Sequence, residues 1–142
     1  MDSLKTSQVL PISGCIAVFA HQPDGRNVLE LQGPAGEPLG VFSNSPLDAS
    51  PLRGGWRGRS ESGPAKAWAI AIGLRGESEP TLVSFHARRR LIAPASQVQP
   101  PAAALGDFWV AEVAGAYHRV TVRAAGRESS LQLAPIRREV VS

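Results

Sequence analysis

The chain has 142 residues, a formal net charge of +3 and a single cysteine. That length suits one domain with a core that needs no disulfide or metal. One cysteine excludes an intramolecular disulfide and any paired-cysteine zinc motif, and no stretch approaches the ~18 uninterrupted apolar residues of a membrane-spanning helix.

Fourteen glycines and twelve prolines punctuate short apolar runs, the pattern of many short strands and turns. Residues 1–8 are polar and read as a tail. Ile12-Ser13-Gly14-Cys15 matches the short pattern before a lipid-modified cysteine, but the apolar run ahead of it spans only Val9 to Ile12, contains Pro11 and follows an acidic start at Asp2. The cytoplasm is the expected location. Cys15–Ala20 and Asn27–Gln32 form a predicted hairpin. A two-residue Asp24-Gly25 loop pairs Ala20 with Leu29 and Val18 with Leu31, so Ile16, Val18, Ala20, Leu29 and Leu31 share one apolar face. Gly33–Pro38 turns the chain into a short strand at Leu39–Phe42.

The segment 43–66 is a long Pro/Ser/Gly-rich loop, of which Gly55–Arg59 can form an edge strand. Structureless loops of that length in compact domains are often lids or binding loops. Ala67–Leu74 is the most buried-looking strand, with Trp68, Ile70, Ile72 and Leu74 on one face and Ala67, Ala69, Ala71 and Gly73 on the other. Small residues on the second face allow a neighbouring layer to approach closely. Thr81–His86 returns the chain, Arg88–Arg90 leads into Leu91-Ile92, and 93–107 is a second long loop stiffened by Pro100-Pro101.

Phe108–Leu133 reads as a three-strand meander. A Gly115-Ala116 loop pairs Glu112 with Arg119 and Ala111 with Val120, and a four-residue loop from Ala124 to Arg127 pairs Arg123 with Glu128 and Val120 with Leu131. Trp109, Ala111, Val113, His118, Val120, Val122, Leu131 and Leu133 then share an apolar face, which a second layer must cover. The expected architecture is a single all-β domain over 9–136: an antiparallel β-sandwich or β-barrel of about eight strands, with a C-terminal three-strand meander and a tail at 137–142.

The sequence carries no Gly-x-Ser-x-Gly elbow and no phosphate loop. His21, His86 and His118 are scattered without metal-ligand spacing, so neither metal nor cofactor is expected. Two residue sets are candidates for binding. Trp56, Trp68, Trp109, Tyr117 and His118 are aromatic or imidazole groups able to line a ligand cavity, His118 also being a general-base candidate. Arg53, Arg57 and Arg59 flank Trp56 and can hold an anion, since arginine interleaved with an aromatic grips phosphates and stacks on bases. Arg53 and Arg57 have the Arg-x3-Arg spacing of cyclic-dinucleotide-binding PilZ barrels, but the second half of that family's motif is missing and the chain is not assigned to it. The thirteen arginines against two lysines read equally as compositional bias.

Three readings follow. The first is a non-catalytic binding or interaction domain whose ligand or protein partner the sequence does not name. The second is a cofactor-free barrel that binds an apolar small molecule and shapes its cyclisation or isomerisation. The third and weakest is nucleotide or nucleic-acid binding through the Arg/Trp loop. Self-association and enzymatic activity stay open, and no membrane partner is expected.

Overall fold

The structure is a computed structural model that describes residues 4–22, 26–43, 52–59, 67–74, 82–87, 97–124 and 126–136. Four consecutive strands, β1 (Leu4–Val9), β2 (Ile16–His21), β3 (Asn27–Gln32) and β4 (Pro38–Ser43), form an up-and-down antiparallel sheet. A central sheet has the order β13 (Ala134–Pro135), β5 (Gly54–Arg59), β6 (Ala67–Leu74), β10 (Phe108–Ala114) and β9 (Ala103–Leu105). The third sheet runs β12 (Arg127–Gln132), β11 (Arg119–Ala124), β7 (Leu82–His86) and β8 (Gln97–Val98). Among the described residues all pairings are antiparallel except β13 on β5. No helix and no closed barrel occur among the described residues, so the all-β reading holds in its open, sandwich form.

The period-two alternation of β6 makes three layers of these sheets. Trp68, Ile70 and Ile72 join Leu10, Cys15, Ala17, Leu29, Leu31, Phe108 and Val110 in a core between the first and central sheets. Ala69 and Ala71 join Val83, Phe85, Trp109, Ala111, Val120, Val122 and Leu133 in a core between the central and third sheets. The central sheet is therefore covered on both faces, which is why β6 and β10 are almost wholly apolar. Phe19 meets Phe108 edge to face at 6.3 Å, directly over Gly106, where a Cβ would lie 2.3 Å from the Phe19 ring.

Four expectations are corrected. The first is the meander. Its Gly115-Ala116 hairpin does not form: β10 pairs with β6 (Glu112 opposite Ile70) and β11 pairs with β7 (Arg119 opposite His86). The chain crosses between layers at 115–118, so Ala111 and Val120 share a core without sharing a ladder. Its second hairpin forms as read, with Arg123 opposite Glu128 and Val120 opposite Leu131. Second, the β2–β3 register is shifted by one: Ala20 pairs with Val28 and Ala17 with Leu31. The ladder closes with Gln22 N–H donating to Arg26 O, which leaves three residues between them rather than two. A one-residue slip exchanges the faces of a strand, and Cys15 and Ala17 are wholly buried in place of Ile16 and Val18. Third, residues 4–8 are not a tail, since Leu4–Val9 pairs with β2 along its length. Fourth, Gly55–Arg59 lies inside β5, whose outer side is taken by β13. The strand count among the described residues rises from about eight to thirteen because β1 and β5 are full strands and β8, β9 and β13 add pieces of two or three residues. The readings of Asp24-Gly25, Arg88–Arg90, Leu91-Ile92 and the 137–142 tail lie outside the described residues.

Candidate binding groove

The strand β5 presents two unlike faces. Trp56 turns toward the first sheet and packs edge to face on Phe42 at 5.9 Å. Gly55 turns toward the third sheet, where a Cβ would sit 2.7 Å from Leu133. Arg57 and Arg59 share the face of Gly55 by alternation, but lie beyond the third sheet and are exposed.

Next to them, β6 begins with Ala67 and Trp68. The Trp68 indole lies against Gly58 so closely that a Cβ at position 58 would be 2.5 Å from Cζ2. Its Nε1 is buried and has no hydrogen-bond partner among the described residues. Beyond the end of β10, Gly115 takes a positive φ of 130° and donates its N–H to Ala67 O at 2.8 Å. Tyr117 folds back over it, its ring 6.0 Å from Phe85. On the other side, Ile136 N–H donates to Arg57 O at 3.0 Å, which fixes Pro135 and Ile136 along β5.

These pieces enclose an open groove of about 500 Å³ at one end of the central sheet. Arg57, Gly58 and Arg59 form one side; Trp68, Gly115 and Tyr117 another; Pro34, Ala35 and Glu37 of the β3–β4 turn and Pro135-Ile136 complete it. Neither arginine has an ion pair or side-chain hydrogen bond among the described residues. Among the described residues Glu37 is the one carboxylate on the lining, and its Oε1 is turned back over Gly33 toward Ala35 N–H at 3.4 Å. No histidine or cysteine lines the groove.

Of the candidates read from sequence, the groove gathers Trp68, Tyr117, Arg57 and Arg59 and leaves the others elsewhere. Trp56 belongs to the layer between the first and central sheets, and Trp109 is buried between the central and third. His118 is half-buried, with its N–H donated to His86 O and its own carbonyl accepting from Leu133 N–H. Arg53 donates its N–H to Ile72 O outside the groove. Pro34, Ala35, Glu37, Pro135 and Ile136 escaped the sequence reading, because only a turn signal at 33–38 marks any of them.

A smaller hollow of about 240 Å³ lies on the exposed face of the third sheet and includes Ser84, His86, Gln99, Arg123 and Glu128. Gln99 donates to Ser84 Oγ at 3.2 Å, and Arg123 pairs with Glu128 at 3.3 Å. Desolvation, then the cation of Arg119 and the neighbouring His118, lower the pKa of His86. No cluster of three or more His, Cys, Asp or Glu able to hold a metal occurs among the described residues.

No protein-family model, no curated protein and no solved structure matches the chain.

Proposed function

We propose that the chain is a non-catalytic binding domain whose contact surface is this groove. The observation that carries the reading is the convergence of Arg57, Arg59, Trp68 and Tyr117, from three separate segments, on one open hollow of about 500 Å³. Sites of that size take a small molecule or a short stretch of a partner, with mostly apolar walls and a few placed polar groups. The described lining also supports binding over catalysis: it offers no imidazole or thiol, and the carboxylate of Glu37 faces its own turn. The barrel reading would need an enclosed aromatic interior, and Trp56 and Trp109 lie in different layers of an open stack.

The test is a fragment screen of the isotope-labelled protein by amide chemical shifts. Hits are expected to move the amides of Gly58, Gly115 and Tyr117 and to be recovered chemically unchanged after long incubation. Hits that scatter over the surface, or a fragment converted to product, would reject the reading.

A further inference from the structure

We infer that the groove recognises an anion. A single carboxylate or phosphate group is held between the guanidinium groups of Arg57 and Arg59, and the apolar remainder of the ligand lies on Tyr117 and Ile136. This rests on the groove being the contact surface and names what enters it.

Charge is the first ground. The two arginines bring two full positive charges to the lining, and no described acidic side chain forms an ion pair with either. Arg123, exposed elsewhere, has found Glu128. Glu37 is near enough to line the same groove, yet its carboxylate is committed to the β3–β4 turn. Two guanidinium groups against one carboxylate leave the described lining net positive, and a concave wall concentrates such a charge.

Geometry is the second. Arg57 and Arg59 are two residues apart on one strand face, so their side chains leave the backbone about 7 Å apart and parallel. Two guanidinium forks at that spacing can close on one anion with several charge-assisted hydrogen bonds. The strand beneath them is held by β6 along its length and by β13 at Trp56 and Arg57, so on binding the backbone is already ordered and only the two side chains have to be fixed.

The third ground is the apolar rim. Tyr117 and Ile136, both half-buried at the rim, offer an apolar surface to whatever carries the anion.

The experiment titrates the labelled protein with phenyl phosphate, benzoate and neutral benzyl alcohol at low salt. Both anions, or the better of the two, are expected to shift Gly58, Gly115 and Tyr117. Their relative affinity tells a phosphate ester from a carboxylate. Affinity should fall about tenfold or more in Arg57→Ala and in Arg59→Ala, the worth of one charge-assisted contact. It should also fall at ~1 M salt, where charges are screened beyond about 3 Å. Arg57→Lys should keep part of it, and Arg123→Ala all of it. Benzyl alcohol shifting the groove as strongly as the anions would overturn the anion assignment while the groove reading stood. Silence of the groove toward all three would reject both. Both arginines are exposed, so the variants should melt like the parent, and the melt is run beside each titration.

Discussion

The carboxylate of Glu112 accepts the backbone N–H groups of Ile12 and Ser13 at 2.9 and 3.0 Å. It also accepts Ser13 Oγ–H at 3.0 Å, and that oxygen takes Cys15 N–H at 3.1 Å. One side chain of the central sheet thus closes the β1–β2 turn of the first sheet. Glu112→Ala is expected to lower unfolding free energy by about 2–3 kcal/mol, the cost of leaving donors without a charged acceptor. Glu112→Gln should recover part of the loss. Urea unfolding measures both, and a loss in Glu112→Ala below ~0.5 kcal/mol, the scale of an ordinary surface change, would show that the clamp is idle.

Gly58 and Trp68 form a second pair whose fit can be tested. A methyl group at position 58 meets the indole at 2.5 Å. Gly58→Ala should therefore displace Trp68 and cost about 1–3 kcal/mol, as overpacking does. Trp68 fluorescence should change, and ligand shifts at the groove should weaken. Unchanged stability together with an unchanged emission spectrum would rule out the close fit.

Acidity should act through His86. Its pKa is lowered by burial first, then by Arg119 and His118, with Glu128 acting weakly the other way. Between its folded value and the ordinary value of about 6.5, the unfolded chain binds a proton that the folded chain refuses. This contribution to stability is complete above about pH 6.5 and declines as pH falls through that window. Cys15 works in the opposite direction at the alkaline end. Burial pushes its thiol up, so its contribution is complete below about pH 9 and declines as pH rises. Melting curves from pH 5 to 10 should show both shoulders, with His86→Gln removing the acid one; an acid shoulder that survives in His86→Gln belongs to another group.

The two interlayer gaps should respond differently to size. Ala71 is wholly buried against the third sheet, and Ile72 is wholly buried against the first. Ala71→Leu should cost about 1–3 kcal/mol by overpacking. Ile72→Val should cost about 0.5–1.5 kcal/mol by leaving a small void. Equal tolerance at both positions would mean that the alanine face is not close-packed.

Much of the layer assignment could be read from residue alternation, and most of the ladder assignment could not. Period two says which face a side chain takes. It does not say whether two residues on a common apolar face are neighbours along hydrogen bonds or opposite one another across a core. Alternation puts Trp109, Ala111, Val120, Val122 and Leu133 on one apolar face, and they share one core. It also suggests a single sheet, whereas the chain between them changes layer. The Arg123–Glu128 hairpin was legible because charge, glycine position and strand length all agreed. The β2–β3 register was not, because Ile-Ala-Val-Phe-Ala is apolar on both sides and pattern alone cannot choose a face.

For the groove, the sequence marked the residues that are chemically unusual: Arg57, Arg59, Trp68 and Tyr117. It could not mark Pro34 or Ile136, which matter only through a fold that brings residues a hundred positions apart to one rim. Trp109 was a reasonable candidate by type, and burial on a two-sided sheet turned it into packing.

The order in which the three layers are spelled out along the chain has a consequence for synthesis. The first sheet is written without interruption: all its hydrogen-bonded ladders lie within Leu4–Ser43, and local hairpins form early. Its inner face is covered by strands that include Phe108–Ala114, some sixty-five residues later. A chain emerging from the ribosome therefore finishes this sheet's backbone long before it can hide Leu29, Leu31 and Phe19. The central and third sheets alternate along the remaining sequence, so both stay incomplete until their last strands are made. The newborn chain carries an incompletely covered apolar sheet while those residues are made, the state in which a chaperone has the most to hold.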